Sequence, residues 1–212
     1  MADYAKATDT ATISVAELTR GYQEFQKQER RDSTYKIATF ILSHFWGKPA
    51  DMADGMGVLL LTWNQALYRY GSFDFDKLEE AIQSNFPSIE SFHNRNIITL
   101  QKIDEPFIKS LFDEFLVALQ VADGKKKGIK SPVATSKALH LLCPAFFPLW
   151  DHKIAKAYGC NYGINPSQKY ISFSYKMKDI AQQIPPHVSC GNKTLLKLID
   201  EYNYAKYTKR WL

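Results

Sequence analysis

The sequence is poor in cysteine: three in 212 residues, Cys143, Cys160 and Cys190, with no CxxC pair. An odd number of thiols and no secretory leader argue against a disulfide-stapled extracellular fold and for a reducing cytoplasm. The five histidines, His44, His93, His140, His152 and His187, stand far apart. None makes a ligand spacing with a cysteine or carboxylate, so neither a metal nor a cofactor is expected. No apolar stretch approaches the roughly 20 residues of a membrane-spanning helix. The nearest, MGVLLLTW at 56–63, is far too short. Alternating apolar and polar residues are also scarce; only IITL at 97–100 and YISFSY at 170–175 compete as strands. No internal repeat and no low-complexity linker is present.

Aromatic residues are plentiful, with 13 Phe, 12 Tyr and 4 Trp, which predicts a core built on large rings. Hydrophobic residues make up 45% and charged residues 23%, as in ordinary globular chains. Lys and Arg exceed Asp and Glu by 27 to 22, a net +5 that accommodates a polyanion partner without establishing one.

Helical spacing recurs along almost the whole chain. Ser14 with Glu17 three residues later forms a capping box that opens a helix over residues 14–30. Ile37, Phe40, Ile41 and Phe45 recur at helical spacing in a second segment, which Gly47 and Pro49 stop. Asp51 opens a third, whose GVLLLTWNQALYRYG is apolar on nearly all sides and predicts a central helix running past Trp63. Asp74 or Asp76 starts a fourth, with Leu78, Ala81, Ile82 and Phe86 on one face and Pro87 behind it. Asp104-Glu105-Pro106 is the clearest start signal, a capping acid and then a proline where a first-turn amide has no partner to lose. Further helices are expected around 168–184, ended by Pro185-Pro186, and over Leu195, Leu196, Leu198, Ile199 and Tyr202. The pattern predicts an all-α, two-lobed helical domain over residues 13–212, of about nine or ten helices, behind a flexible N-terminus at 1–12.

Chemistry concentrates between residues 122 and 151. ADGKKKGIKSP places Lys125, Lys126, Lys127 and Lys130 on one short loop between Gly124 and Ser131. Such a loop either solubilises the surface or binds phosphates. It leads into SPVATSKALHLLCPAFFPLWDHKIAKAYG at 131–159. Lys137, early in an apolar helix, either snorkels to solvent or is desolvated and becomes a Schiff-base nucleophile. Asp151 is explained completely as a helix cap, yet a carboxylate so held also orients water or stabilises a cation. His140, three residues after Lys137, and Trp150, just before Asp151, are candidates for the same site. Trp63, Asn64 and Gln65 interrupt the apolar central helix with two amides, which either tie helices together or line a pocket for a planar polar ligand.

Over residues 104–160 the order of these parts resembles the helix-hairpin-helix superfamily of DNA glycosylases, particularly its 8-oxoguanine-glycosylase-like branch. A helix ending near Val121, the loop GKKKGIK, the run SKALHLL and the segment FPLWDHKIAKAYG follow in the family's order. On that resemblance Lys137 matches the nucleophilic lysine, Asp151 the catalytic aspartate and Gly159 the glycine closing the short helix. The lysine-rich loop stands where the family has a glycine-rich hairpin, and the connection from Lys137 to Asp151 is shorter than the family's by about a turn. The resemblance implies a DNA glycosylase, a hydrolase with or without lyase activity, that flips a damaged or modified base from DNA in repair or phage defence. It implies DNA contacts at Lys125, Lys126, Lys127 and Lys130 and a base pocket or wedge from Trp63, Asn64, Gln65, His140 and Trp150. The alternative is a non-catalytic DNA-binding or protein-interaction module on the same helical fold.

Overall fold

A computed structural model of the chain describes residues 12–29, 31–185 and 193–212. His187, Cys190 and residues 1–11 of the expected flexible N-terminus lie outside that set. Among the described residues there are ten α-helices and no strand. Both candidate strands are otherwise: Ile97–Thr99 is a 3-10 turn, and YISFSY lies inside a helix.

The first helix, α1 (Val15–Gln28), begins with the expected capping box. Ser14 Oγ accepts from the Glu17 amide at 3.2 Å, and Glu17 accepts from the Ser14 amide at 3.0 Å. Helix α2 (Ser33–His44) buries Tyr35, Ala38 and Leu42. Ile37 and Phe40 face outward, 51% and 69% exposed, so the most hydrophobic positions do not mark the buried side. Helix α3 (Pro49–Trp63) ends at Asn64, whose backbone and side-chain amides both donate to the Leu60 carbonyl. A separate turn, α4 (Gln65–Tyr68), follows, so the expected continuous central helix is two elements broken at Asn64.

Helix α5 (Phe75–His93) is capped by Asp74, which accepts from the Asp76 amide at 3.1 Å. It continues straight through Pro87. The proline ring is on the exposed side, where water can take the orphaned carbonyl one turn back. Helix α6 (Glu105–Ala118) starts where expected, but Asp104 does not cap it. Its carboxylate instead accepts both Arg95 guanidinium nitrogens, at 2.8 and 2.7 Å, and the Gln101 amide at 2.7 Å. The second half of the chain comprises α7 (Pro132–Leu142), α8 (His152–Ala157), α9 (Pro166–Gln183) and α10 (Leu195–Asn203). The last of these runs on into a π-helical turn over Tyr204–Lys209.

α3 packs on α5, α1 on α10, and α6 on both α7 and α9. The buried side chains form one continuous core, from Leu18 and Met52 through Phe112 and Phe147 to Tyr202, which the two expected lobes share. None of the described helices is long and apolar enough to cross a membrane.

Candidate active site

The helices α6 and α7 are joined by a closed hairpin. The Val121 amide donates to the Ile129 carbonyl at 3.0 Å and the Gly128 amide to the Val121 carbonyl at 2.8 Å. Gly124 holds the turn at φ 71°, where a Cβ would stand 2.0 Å from the Tyr70 carbonyl oxygen. Only glycine fits there. The hairpin is pinned to the preceding loop by Ala122 N–H to Ser72 O at 2.7 Å and Ser72 N–H to Asp123 Oδ1 at 2.7 Å. Lys125, Lys127 and Lys130 stand out from it into solvent. Lys126 does not; its ammonium donates to the Ala66 carbonyl and ties the hairpin to α4. Of the four lysines expected to face phosphates, three are therefore exposed and one is bonded within the chain.

Ser131 caps α7 by accepting from the Ala134 amide at 3.2 Å, and Pro132 fills the first turn. That start aims Lys137 inward. Its Nζ donates to the Trp63 carbonyl and to Asn64 Oδ1, both at 3.0 Å, and sits 4.5 Å from the centre of the Trp63 ring. Burial lowers its pKa from 10.5 to about 8, against the opposing charges of Asp200 and Asp151.

Asp151 begins α8. Its Oδ1 accepts from the Ile154 amide at 2.8 Å, an ordinary cap. Its Oδ2 accepts from the Thr208 hydroxyl, carried there by the π-helical turn that follows α10. Lys153 holds that turn from below by donating to the Thr208 carbonyl at 2.8 Å. At the other end of α8, Gly159 takes φ 67°, and the Cys160 amide closes on the Ala155 carbonyl at 2.8 Å.

Lys137 and Asp151 line one cavity of about 210 Å³, with Trp150, Leu149, Asp200 and Tyr204 around them. Beyond it lies a cavity of about 570 Å³ lined by Phe25, Tyr35, Trp63 and Tyr204 and by polar residues that include Glu29, Arg31, Asp32, Lys197 and Asp200. The two share Trp63, Asp200 and Tyr204. On the hairpin side a third, shallow cavity of about 530 Å³ runs from Trp63 over Asn64, Gln65 and Arg69 to Ser131. Trp63 borders all three. A larger groove of about 850 Å³, between α5 and α6, includes none of the candidate residues.

The other sequence candidates separate. Trp150, 2% exposed, is a floor residue whose indole N–H donates to the Pro132 carbonyl at 3.1 Å. Gln65 is exposed at the shallow cavity and does not reach Lys137. Asn64 is the amide that does. His140 belongs to the core instead of the pocket. It is fully buried, with Nδ1 donating to the Phe147 carbonyl at 2.7 Å and Nε2 accepting from the Tyr35 hydroxyl at 3.1 Å. Burial lowers its pKa to about 3, so it is a neutral bridge between α2 and α7.

Two residues of the site carry no sequence signal near the motif: Asp200 and Thr208. Asp200 belongs to a buried charge cluster on α10, where the Lys197 ammonium lies 3.4 Å from Asp200 and 3.6 Å from both Asp32 and Glu201. Burial alone would push Lys197 down, but the three carboxylates outweigh it and hold its pKa up. Burial raises Asp200, opposed by Lys197 and reinforced by Asp151 and Asp32. No group of three His, Cys, Asp or Glu side chains among the described residues is placed to hold a metal ion. Against family models, characterised proteins and solved structures, the chain finds no match.

Proposed function

We propose that the protein excises a damaged or modified base from DNA, with Lys137 and Asp151 flanking the sugar. What carries this is one juxtaposition. A lysine amine with its pKa lowered to about 8 shares a small cavity with a carboxylate held on both oxygens, directly behind a helix–hairpin–helix with a basic tip. A base must leave the stack before its glycosidic bond can be reached. The cavity of about 570 Å³, with four aromatic rings among its polar lining, is of a size to receive it. Lys125, Lys127 and Lys130 would hold phosphates, and Gln65 and Arg69 line the shallow cavity that Trp63 shares. The neutral lysine attacks the sugar while Asp151 stabilises the positive charge that develops there. Reduced, buried thiols at Cys143 and Cys160 fit a cytoplasmic setting for that work.

One observation favours the second reading, a DNA-binding or protein-interaction module without chemistry. Lys137 donates to the Trp63 carbonyl and Asn64 at the C-terminus of α3, which is also how a lysine caps a helix end. A panel of duplexes carrying different base lesions, incubated with borohydride, separates the two. Excision predicts released base and a trapped protein–DNA adduct that Lys137→Ala abolishes, with Asp151→Asn eliminating release at unchanged DNA affinity. DNA binding without release or adduct from any duplex would leave the non-catalytic module.

A further inference from the structure

We infer that Asp200 is the proton-transferring residue of this site, taking the proton of Lys137 before attack and delivering it to the departing base. The inference rests on the base-excision reading and names the residue that completes it. Asp200 lines the cavity of Lys137 and Asp151 and also the cavity beyond. No direct hydrogen bond or ion pair joins it to the Lys137 amine, so the proton crosses the shared cavity through one water. It stands where the sugar's neighbourhood meets the base's.

The two carboxylates of the site are built differently. Both oxygens of Asp151 already accept a hydrogen bond, from Ile154 and Thr208, so it is held to a position. Asp200 receives one lysine hydrogen bond, from Lys197 to Oδ2 at 3.4 Å, and burial favours its protonated form. A buried carboxylate whose protonated form is favoured is suited to carry a proton. Asp200 is also the stronger of the two in its effect on the Lys137 amine. The charged groups around it are Lys197 and Glu201 from α10, Asp32 and Arg31 from the turn before α2, Lys137 from α7 and Asp151 from α8.

The step balances without a further reactant. Through a water in the shared cavity the Lys137 ammonium gives a proton to the Asp200 carboxylate, leaving a neutral amine and a carboxylic acid. The amine nitrogen forms a bond to the sugar's anomeric carbon as the glycosidic bond breaks. The electron pair of that bond leaves with the base nitrogen, which takes the proton back from Asp200. A secondary ammonium remains on the sugar, and Asp200 is a carboxylate again.

The test reads Lys137 directly, with formaldehyde and cyanoborohydride as probe. These methylate neutral amines, and the extent at Lys137 is followed by peptide mass spectrometry against pH. The wild-type midpoint is expected at about 8. Asp200→Asn should lower it by about one pH unit, because the negative charge that favours the ammonium is gone. Asp151→Asn should lower it less, and Asp200→Glu should restore it. Asp32→Asn is the control, since Asp32 pairs with the same Lys197 but does not line the lysine's cavity. Lys197 keeps Asp32 and Glu201 as partners in Asp200→Asn, and Asp200→Ser reads the same midpoint should the first variant not fold. An unmoved midpoint, or an equal move in Asp32→Asn, overturns the inference. On any duplex that the wild type processes, Asp200→Asn should slow single-turnover release by about 100-fold, and undiminished release would also overturn it. Absence of release from every duplex, with the midpoint shift intact, removes the excision reading while leaving Asp200 as the partner of the amine.

Discussion

Replacing Lys137 by Met turns the lysine's burial into a measurable dependence of stability on pH. The amine is protonated in the unfolded chain up to a pKa near 10.5 and in the folded chain only up to about 8. Below the folded value the cation is carried into a site that penalises it, at a cost of about 3 kcal/mol for a difference of this size. As pH rises from the folded value toward the unfolded one, the unfolded state binds more protons and the penalty is relieved. The wild type should therefore gain on Lys137→Met by about 2 kcal/mol between about pH 6.5 and about pH 9.5. For a domain of this length that moves the difference in Tm by about 4–8 °C, in favour of the wild type at high pH. Paired thermal melts across the range measure it, and the difference between variants cancels every other titrating group. The Trp63 carbonyl, Asn64 and the Trp63 ring all favour the cation, so a smaller gain would measure how far they offset burial. A difference in Tm flat across the range would refute the reasoning and leave Lys137 without a neutral form near physiological pH.

Further outcomes follow from the hairpin and from the Arg95–Asp104 pair. Changing Lys125, Lys127 and Lys130 to Ala should weaken DNA retention for all sequences alike and flatten its salt slope by up to about 0.9 log units per lost contact; Lys126→Ala should instead lower Tm, through the lost bond to Ala66. Gly124→Ala should destabilise the hairpin by about 2 kcal/mol or more in urea melts, because the left-handed φ and the Tyr70 carbonyl both oppose a Cβ. Asp104→Asn should cost about 2–3 kcal/mol by breaking the bidentate pair with Arg95. Arg95 holds the Asp104 carboxyl below its usual range, so its stabilisation is present above about pH 4, is lost as pH falls through the folded value, and should be missing from the acid limb of the variant.

Most helices were legible because their signals are local. The Ser14–Glu17 box, the Asp74 cap and the Ser131-Pro132 start each act within one turn of the chain. Failures arose where a nonlocal term decided. Counting apolar residues on α2 favours Ile37 and Phe40, yet the core accepts Tyr35, Ala38 and Leu42, because the fit to α3 and α7 selects the face. Pro87, expected behind the fourth segment, lies inside α5, where an exposed proline removes one hydrogen bond from a helix whose other face is held by Leu78, Ile82 and Ile89. Asn64 breaks α3 without glycine or proline, a break stabilised by its contact with Lys137, 73 positions away. The lysine and aspartate themselves were visible as motif residues, whereas Asp200 and Thr208 were not. Neither lies near the motif, and their positions depend on how α10 packs.

The second oxygen of Asp151 is bonded beyond what a cap requires. A capping aspartate needs only one oxygen, and Ile154 supplies the donor for it. Stability of α8 is served at that point. The other oxygen is met by Thr208, 57 positions on, and the chain reaches it by widening from an α-helix to a π-helical turn at Tyr204. Such turns are rare overall and frequent at functional sites. The same continuous stretch, α10 and its π-turn, thus carries Asp200 to the cavity wall and Thr208 to the capping carboxylate. Thr208→Val keeps the shape of the side chain and removes its donor. If the turn serves only α8, the variant should melt a degree or two below the wild type and release base at an unchanged rate. If it serves the site, Thr208→Val should lose base release by about tenfold or more at equal DNA affinity, and Thr208→Ser should recover it. Equal release by Thr208→Val and the wild type would return Asp151 to the role of a helix cap.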